Sequence, residues 1–443
     1  MAIFSSKDLP NVRPVADFNF AATKVLDNRI NFSRGSIGTY IDNMGVVRYA
    51  PHNVPRFDHD PTTGESLGLL IEESRTNLFQ NSTLYEESNL NGFYQSAAIE
   101  QQSEVGPDGK TGDVSLYHPN SIQNTHYYYA NYLSQTGAHT ISAWFKNLET
   151  TIYYPQLRIF NVGSGQAFAN FNITGDGAVY STGGNSFTSA SIEKYPNGWY
   201  KCMMSCSNVN AHTMGIVASN STSAELPNYA GSVDSNKGFL VWGVQVEASS
   251  FATSLIPTNG TTVTRGADQA VVKGEKFKKI FDTGFSSFSA LIDYDNLSTD
   301  DGDNHGIFAM WGEETNYDNR IELFKSSSSP YHIMTRADGG GGKVFADATP
   351  VGSDKSAVQK IAFSWSVPDY SNTTSRRWAM SFSGEDVDEI ADSTGTSTPA
   401  LTKLGIGINP TRLDLEAGLT HYKRVAIYNT VLTDEELKGL SAI

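Results

Sequence analysis

Apolar and polar residues alternate along most of the chain in short runs. Examples are His139-Thr-Ile-Ser-Ala-Trp-Phe-Lys146, Ala167-Phe-Ala-Asn-Phe-Asn-Ile173, Gly198-Trp-Tyr-Lys-Cys-Met-Met-Ser205 and Gly238-Phe-Leu-Val-Trp-Gly-Val-Gln-Val246. A period of two marks half-buried strands. Turn signals such as Pro107-Asp-Gly109, Gly175-Asp-Gly177 and Pro196-Asn-Gly198 punctuate them, a spacing that predicts a β-sandwich over residues 86–268. The style recurs without sequence repetition from 280 to 443, in Phe288-Ser-Ala-Leu-Ile-Asp-Tyr294, Lys360-Ile-Ala-Phe-Ser-Trp365 and Lys423-Arg-Val-Ala-Ile-Tyr428. A second sandwich is expected there. The fold class is therefore all-β, with two tandem antiparallel sandwiches. One helix is predicted near the end: Thr433 can cap its first turn, Glu436 can reach back to the cap, and Leu432 can staple onto Leu437.

The remaining segments read differently. Residues 1–85 carry Pro10, Pro14, Pro51, Pro55 and Pro61, which break any long element. This stretch reads as an irregular docking arm whose Phe18, Phe20, Leu69, Leu70, Ile71, Leu78 and Phe79 bury against the first sandwich or across a subunit boundary. On that reading the distal sandwich folds without it. Residues 269–279, rich in lysine, read as a solvated linker.

Composition supports strands over helices. Charged residues make up only 18% of the 443, while Gly (39), Tyr (21) and Phe (23) are abundant, the residues of strands and turns. The net charge of −15 repels phosphate backbones and anionic lipid, so neither nucleic acid nor a membrane is an expected partner. No apolar run approaches the roughly 20 residues of a spanning helix, and the N-terminus has no secretion signal. Cys202 and Cys206 sit four residues apart on one predicted strand, about 13 Å between Cα atoms and beyond disulfide reach. Two buried thiols are expected.

Three stretches resemble the fibre, spike and decoration proteins of tailed bacteriophages. The first runs from Pro55-Arg-Phe-Asp-His-Asp through Leu69-Leu-Ile-Glu-Glu-Ser-Arg-Thr-Asn-Leu-Phe79. The second pairs Gly198-Trp-Tyr-Lys201 with Val241-Trp-Gly-Val-Gln-Val-Glu247, Ala252-Thr-Ser-Leu-Ile-Pro-Thr258 and Thr264-Arg-Gly-Ala-Asp268, and is similar to the closing strands of jelly rolls akin to carbohydrate-binding modules. The third, Leu404-Gly-Ile-Gly-Ile408 with Tyr422 to Leu437, resembles the end of a laminin-G or concanavalin-like domain. The resemblance implies a virion structural protein, assembled in the host cytoplasm and displayed on tail or capsid. It also implies contact with other virion proteins, a homo-oligomer of trimeric type, and adhesion to host-surface glycans.

Candidate chemistry is sparse. Glycoside hydrolysis needs two placed carboxylates, and the strand motif of concanavalin-like hydrolases is missing, so the reading is a non-enzyme with a polysaccharide depolymerase as alternative. Tyr127, Tyr129 and Tyr132 form an aromatic cluster suited to stacking on sugar rings. Alternation puts Tyr128 on the opposite face from Tyr127 and Tyr129. The loop carrying Asp300, Asp301, Asp303 and Asn304 offers oxygen ligands suited to calcium, without the distal bidentate Glu of an EF-hand; no other cofactor is expected. The six tryptophans, all in strand-like runs, are expected in the core.

Overall fold

The computed structural model describes residues 10–83, 93–95, 97–129, 136–148, 153–161, 166–209, 212–232, 234–281, 286–296, 305–312, 319–325, 331–336, 344–348, 359–366, 376–392, 400–408 and 419–442. All ladders among them are antiparallel, and four large sheets build two sandwiches. The all-β expectation is borne out, but the sandwiches are nested rather than tandem.

The middle sandwich faces two six-stranded sheets. The first is ordered Phe187–Lys194, Trp199–Val209, Gly137–Asn147, Phe239–Glu247, Val114–Pro119, Ala97–Gln102; the second runs Ala178–Gly183, Ala167–Asn172, Tyr154–Asn161, His212–Ser219, Tyr127–Tyr129, Phe93–Gln95. The alternation read from the sequence decides which side chains meet. Ile141, Ala143 and Phe145 on one strand and Cys202, Met204 and Cys206 on the next point inward with Leu157, Ile159 and Ile216. Both cysteines are free and buried. Their intervening residues, Thr140, Ser142, Trp144, Lys201, Met203 and Ser205, point to the outer face.

The distal sandwich is where the sequence reading needs correction. In its eight-stranded sheet the strand Leu419–Tyr428 pairs with Ser287–Asn296 on one side. On the other it pairs with Ser66–Glu72, which in turn pairs with Arg56–His59. Ala16–Asn19 also pairs with Leu419–Tyr428, through Ala16 opposite Ile427 and Phe18 opposite Val425. In the facing seven-stranded sheet, Asn31–Ser33 pairs with Gln269–Lys273, which pairs with Lys403–Ile406. Phe18, Phe20, Leu69 and Ile71 thus lie in one core with Phe288, Phe363, Trp365 and Val425. Most of the docking arm expected over 1–85 is built into the distal sandwich, while its hairpin Gly38–Ile41 and Val47–Ala50 pairs with itself and packs Val47 against Trp144, Trp199 and Trp242 of the middle sandwich. Only its end, Leu78 and Phe79, joins the middle core.

The linker over 269–279 is likewise structured. Ala270 and Val272 are fully buried strand residues, and the helix Glu275–Ile280 buries Phe277 and Ile280 while exposing Lys278 and Lys279. Lysines on the outside of an amphipathic turn look like a solvated connector in sequence. The middle sandwich is therefore an insertion. Its entry strand Arg75–Asn77 and exit strand Val263–Arg265 pair with each other. The C-terminal helix Asp434–Ala442 forms as expected: Thr433 N donates to Glu436 Oε2 at 2.9 Å, Glu436 N donates to Thr433 Oγ1 at 3.2 Å, and Leu432 and Leu437 are buried.

Candidate functional site

Two features occupy the junction of the sandwiches: a buried network of charged residues and, beside it, an open cleft. The network gathers residues from opposite ends of the sequence. Arg56 pairs with Asp268 and, at 2.5 Å, with Glu72. Arg265 lies 3.1 Å from Glu72, and Arg34 donates to Asp268 at 2.9 Å. Ser254 N and Oγ donate to Glu72 at 2.7 and 2.6 Å, while Glu247 accepts from Thr253 N and Oγ1 at 2.9 and 2.6 Å. Three guanidinium groups thus face the carboxylates of Glu72, Glu247 and Asp268, all in residues at most 1% exposed. Burial alone would raise the Glu72 pKa, but Arg265, Arg56 and the Ser254 bonds outweigh it and hold the group at about 2. An ion cluster this dry persists because each carboxylate is met by arginines or by hydroxyl and amide donors, although Arg56 Nε and Arg265 Nε are buried without a partner among the described residues.

Every acid and two of the three arginines of this network lie within the segments 55–79 and 241–268. The conspicuous charges in those apolar segments serve the joint. That role was missed in the sequence, because the partners come from segments about 200 residues apart.

The cleft, about 660 Å³, opens between the outer face of the first middle sheet and the distal sandwich. Its floor is read from the strand registers. Glu193 stands opposite Lys201 and Lys201 opposite Trp144, then Ser191, Met203 and Ser142, then Ser205 and Thr140. A bulge fixes the aromatic part. Gly243 has φ +64° where Trp242 opposes Trp144 and Gln245 opposes Ser142, and a Cβ there would meet the Trp144 ring at 2.8 Å. Only glycine lets the strand turn that closely beneath the indole. Trp144 packs edge-on against Trp242 and Tyr195, with centroids at 5.3 and 5.8 Å. The six tryptophans are all buried. Trp144, Trp199 and Trp242 nevertheless belong to a separate cluster with Val47 and Leu255 outside the middle core.

The wall comes from the distal sandwich. Asp58 Oδ1 accepts from Ile41 N at 2.5 Å and its Oδ2 lies 2.8 Å from His421 Nε2. His59 Nδ1 is 3.1 Å from Ile41 O. Asp60 receives Thr62 N and Thr63 N at 2.9 and 2.7 Å; these bonds overcome partial burial and hold it below the usual carboxylate range. Thr62 Oγ1 donates to Lys194 O at 2.9 Å, tying wall to floor, and Thr39 Oγ1 donates to Leu255 O at 2.7 Å in the segment at one end. The residues 250–255 close one end. The result is a recess carrying hydroxyls, carboxylates, two ammonium groups (Lys194 and Lys201) and an indole: groups that recognise polyhydroxylated ligands by hydrogen bonds around an apolar patch.

The residues singled out from sequence lie elsewhere. Tyr127 is half-buried on the outer face of the second middle sheet, its ring 5.0 Å from Phe160, while Tyr128 is buried in the core, so alternation separates the two. Tyr129 lies on the same strand, opposite Gly215. Tyr132 falls outside the described residues, as do Asp300, Asp301, Asp303 and Asn304. Among the described residues no group of three or more His, Cys, Asp or Glu is placed to hold a metal, and no helix is long and apolar enough to cross a membrane.

Comparison with known proteins finds no matching family model and no matching curated protein. Solved structures with some likeness include the CBM40 of the Ruminococcus gnavus IT-sialidase bound to α2,3-sialyllactose. It has 16% identity and a TM-score of 0.30, over 36% of this chain and 85% of that one. A leech intramolecular trans-sialidase reaches 13% and 0.29 over 36% and 24%. The Trypanosoma rangeli sialidase reaches 9% and 0.29 over 74% and 60%. At such scores, what these proteins bind or cleave does not transfer to this chain.

Proposed function

We propose that the protein is a carbohydrate-binding virion protein, displayed on a phage tail or capsid, that holds host-surface glycan in the cleft between its two sandwiches. The observation that carries the reading is the cleft itself: a recess of about 660 Å³ lined by Ser191, Thr62, Trp144 and Lys201, among others. Its two walls are fixed to each other by the buried Arg56, Glu72, Arg265 and Asp268 cluster. A preformed recess binds without spending affinity on ordering its walls. Display in several copies, as the resemblance to phage structural proteins implies, multiplies weak single-site affinity into avidity.

Binding without cleavage is the favoured chemistry. A glycosidase needs one carboxyl kept protonated beside a second, ionised one. In the cleft, Asp60 is held ionised by its loop and Asp58 is engaged by Ile41 and His421. The test is to apply the purified full chain to an array of bacterial capsule and lipopolysaccharide glycans and to assay bound glycans for new reducing ends. Retention of a subset without new ends is expected. Retention of none overturns the reading, and new ends would make it a depolymerase. Immunogold labelling of particles tests the display: label on tail or capsid is expected, and particles free of label contradict it.

A further inference from the structure

We propose that the ligand of this cleft is an acidic saccharide and that Lys201 reads its carboxylate. The inference rests on the cleft being a glycan seat and adds the charge of the occupant.

Lys201 is only 9% exposed, yet it belongs to the cleft lining. Its Nζ sits 5.1 Å from the centre of the Trp144 ring, and no carboxylate among the described residues lies within ion-pair distance of it. The stem is covered while the ammonium meets solvent only through the cleft, and a group so poorly hydrated gains from an opposite charge beside it. The indole face offsets part of that lost hydration. An arriving carboxylate would supply the rest, in a recess where charge attraction is screened less than on an open surface.

The cleft's other ammonium, Lys194, is exposed and pairs with Asp176 at 3.3 Å, which leaves this role to Lys201, while Asp295 adds a carboxylate to the lining. Both oxygens of Asp58 are engaged, Asp60 accepts from its own loop, and Glu72 is absorbed by arginines and Ser254. Glu193, across the strand from Lys201, points its carboxylate to the Tyr195 hydroxyl at 3.5 Å. It flanks the ammonium on the side away from Trp144. Glu193 therefore opposes an anion at Lys201 without neutralising it, so removing its charge should tighten binding. That opposite sign is a signature no merely structural role would give.

The experiment measures affinities of the full chain for tetrasaccharides cut from hyaluronan, alginate and polygalacturonate, each beside its carboxyl-reduced neutral counterpart. At least one acidic form is expected to bind about tenfold or more tighter than its neutral twin. Lys201→Met should bring that ratio to about one, and Glu193→Gln should raise it severalfold. Thermal melts confirm that both variants remain folded. Equal binding of acidic and neutral forms, an unchanged ratio in Lys201→Met, or no binding of any acidic form each overturns the inference. Equal binding of both forms leaves the glycan-seat reading standing, whereas failure of every glycan on the array removes that reading as well.

Discussion

Arg56 and Asp268, 212 residues apart in the chain, form a fully buried ion pair where the middle sandwich leaves and re-enters the distal one. Asp268 also holds Arg34 at 2.9 Å and accepts from Glu72 N at 3.0 Å, so one carboxylate fastens two arginines and a strand. Asp268→Asn leaves three buried arginines facing two carboxylates. A loss of about 3–5 kcal/mol is expected, read by denaturant unfolding, and a loss below 1 kcal/mol would contradict this account of the joint.

Acid should loosen the same joint. Glu72 titrates at about 2 in the folded protein against 4.5 as an ordinary carboxyl. A lowered folded pKa contributes stability that is complete above the unfolded value and is lost as pH falls through the folded one. Melting temperature should therefore decline between about pH 4.5 and 2. Glu72→Gln should melt lower than wild type at pH 7 and show a shallower acid slope over that window. Parallel slopes for the two proteins would exclude Glu72 as a source of the dependence.

Removal of residues 1–72 should unfold the distal sandwich rather than release a passive arm. The deletion strips the Ser66–Glu72 and Ala16–Asn19 partners from Leu419–Tyr428 and takes Phe18, Phe20, Leu69 and Ile71 out of the core. A fragment spanning 269–443 is expected to lack a cooperative melt. A sharp transition in that fragment would show that the N-terminal strands are dispensable.

Burial pushes the Cys206 thiol up to about 12 and moves Cys202 upward as well. The thiolate is the reactive form, so neither cysteine should react with iodoacetamide at pH 8 in the native protein, and both should react in denaturant. Mass spectrometry reads the result directly; fast native labelling would mean the middle core opens.

How much of this was legible in sequence depended on range. The strands of both sandwiches and the Thr433 and Glu436 cap are local patterns, and they appear where the patterns put them. The nesting was not legible: Phe18 opposite Val425 is a contact between chain ends that leaves no mark near either residue. The proline-rich texture of 1–85 reads as an arm because its strands are short, and short strands suffice when a long one, Leu419–Tyr428, is there to pair with. The cleft was half legible. Alternation around Trp144 and Lys201 puts both on one face, but only the second sandwich turns that face from an exposed surface into a recess. The tyrosine cluster drew notice by composition, and Tyr127 instead packs beside Phe160 on the opposite sheet.

The most direct test fills the cleft. Ser191 is exposed on its floor, so Ser191→Trp should occupy the recess while leaving both cores and the buried ion cluster intact. Wild type and variant would be compared on the same glycan array, with melting temperature as the control for folding. The account predicts that the variant melts like wild type and loses its glycans. Undiminished binding by a folded Ser191→Trp protein would contradict it and place the glycan seat elsewhere on the molecule.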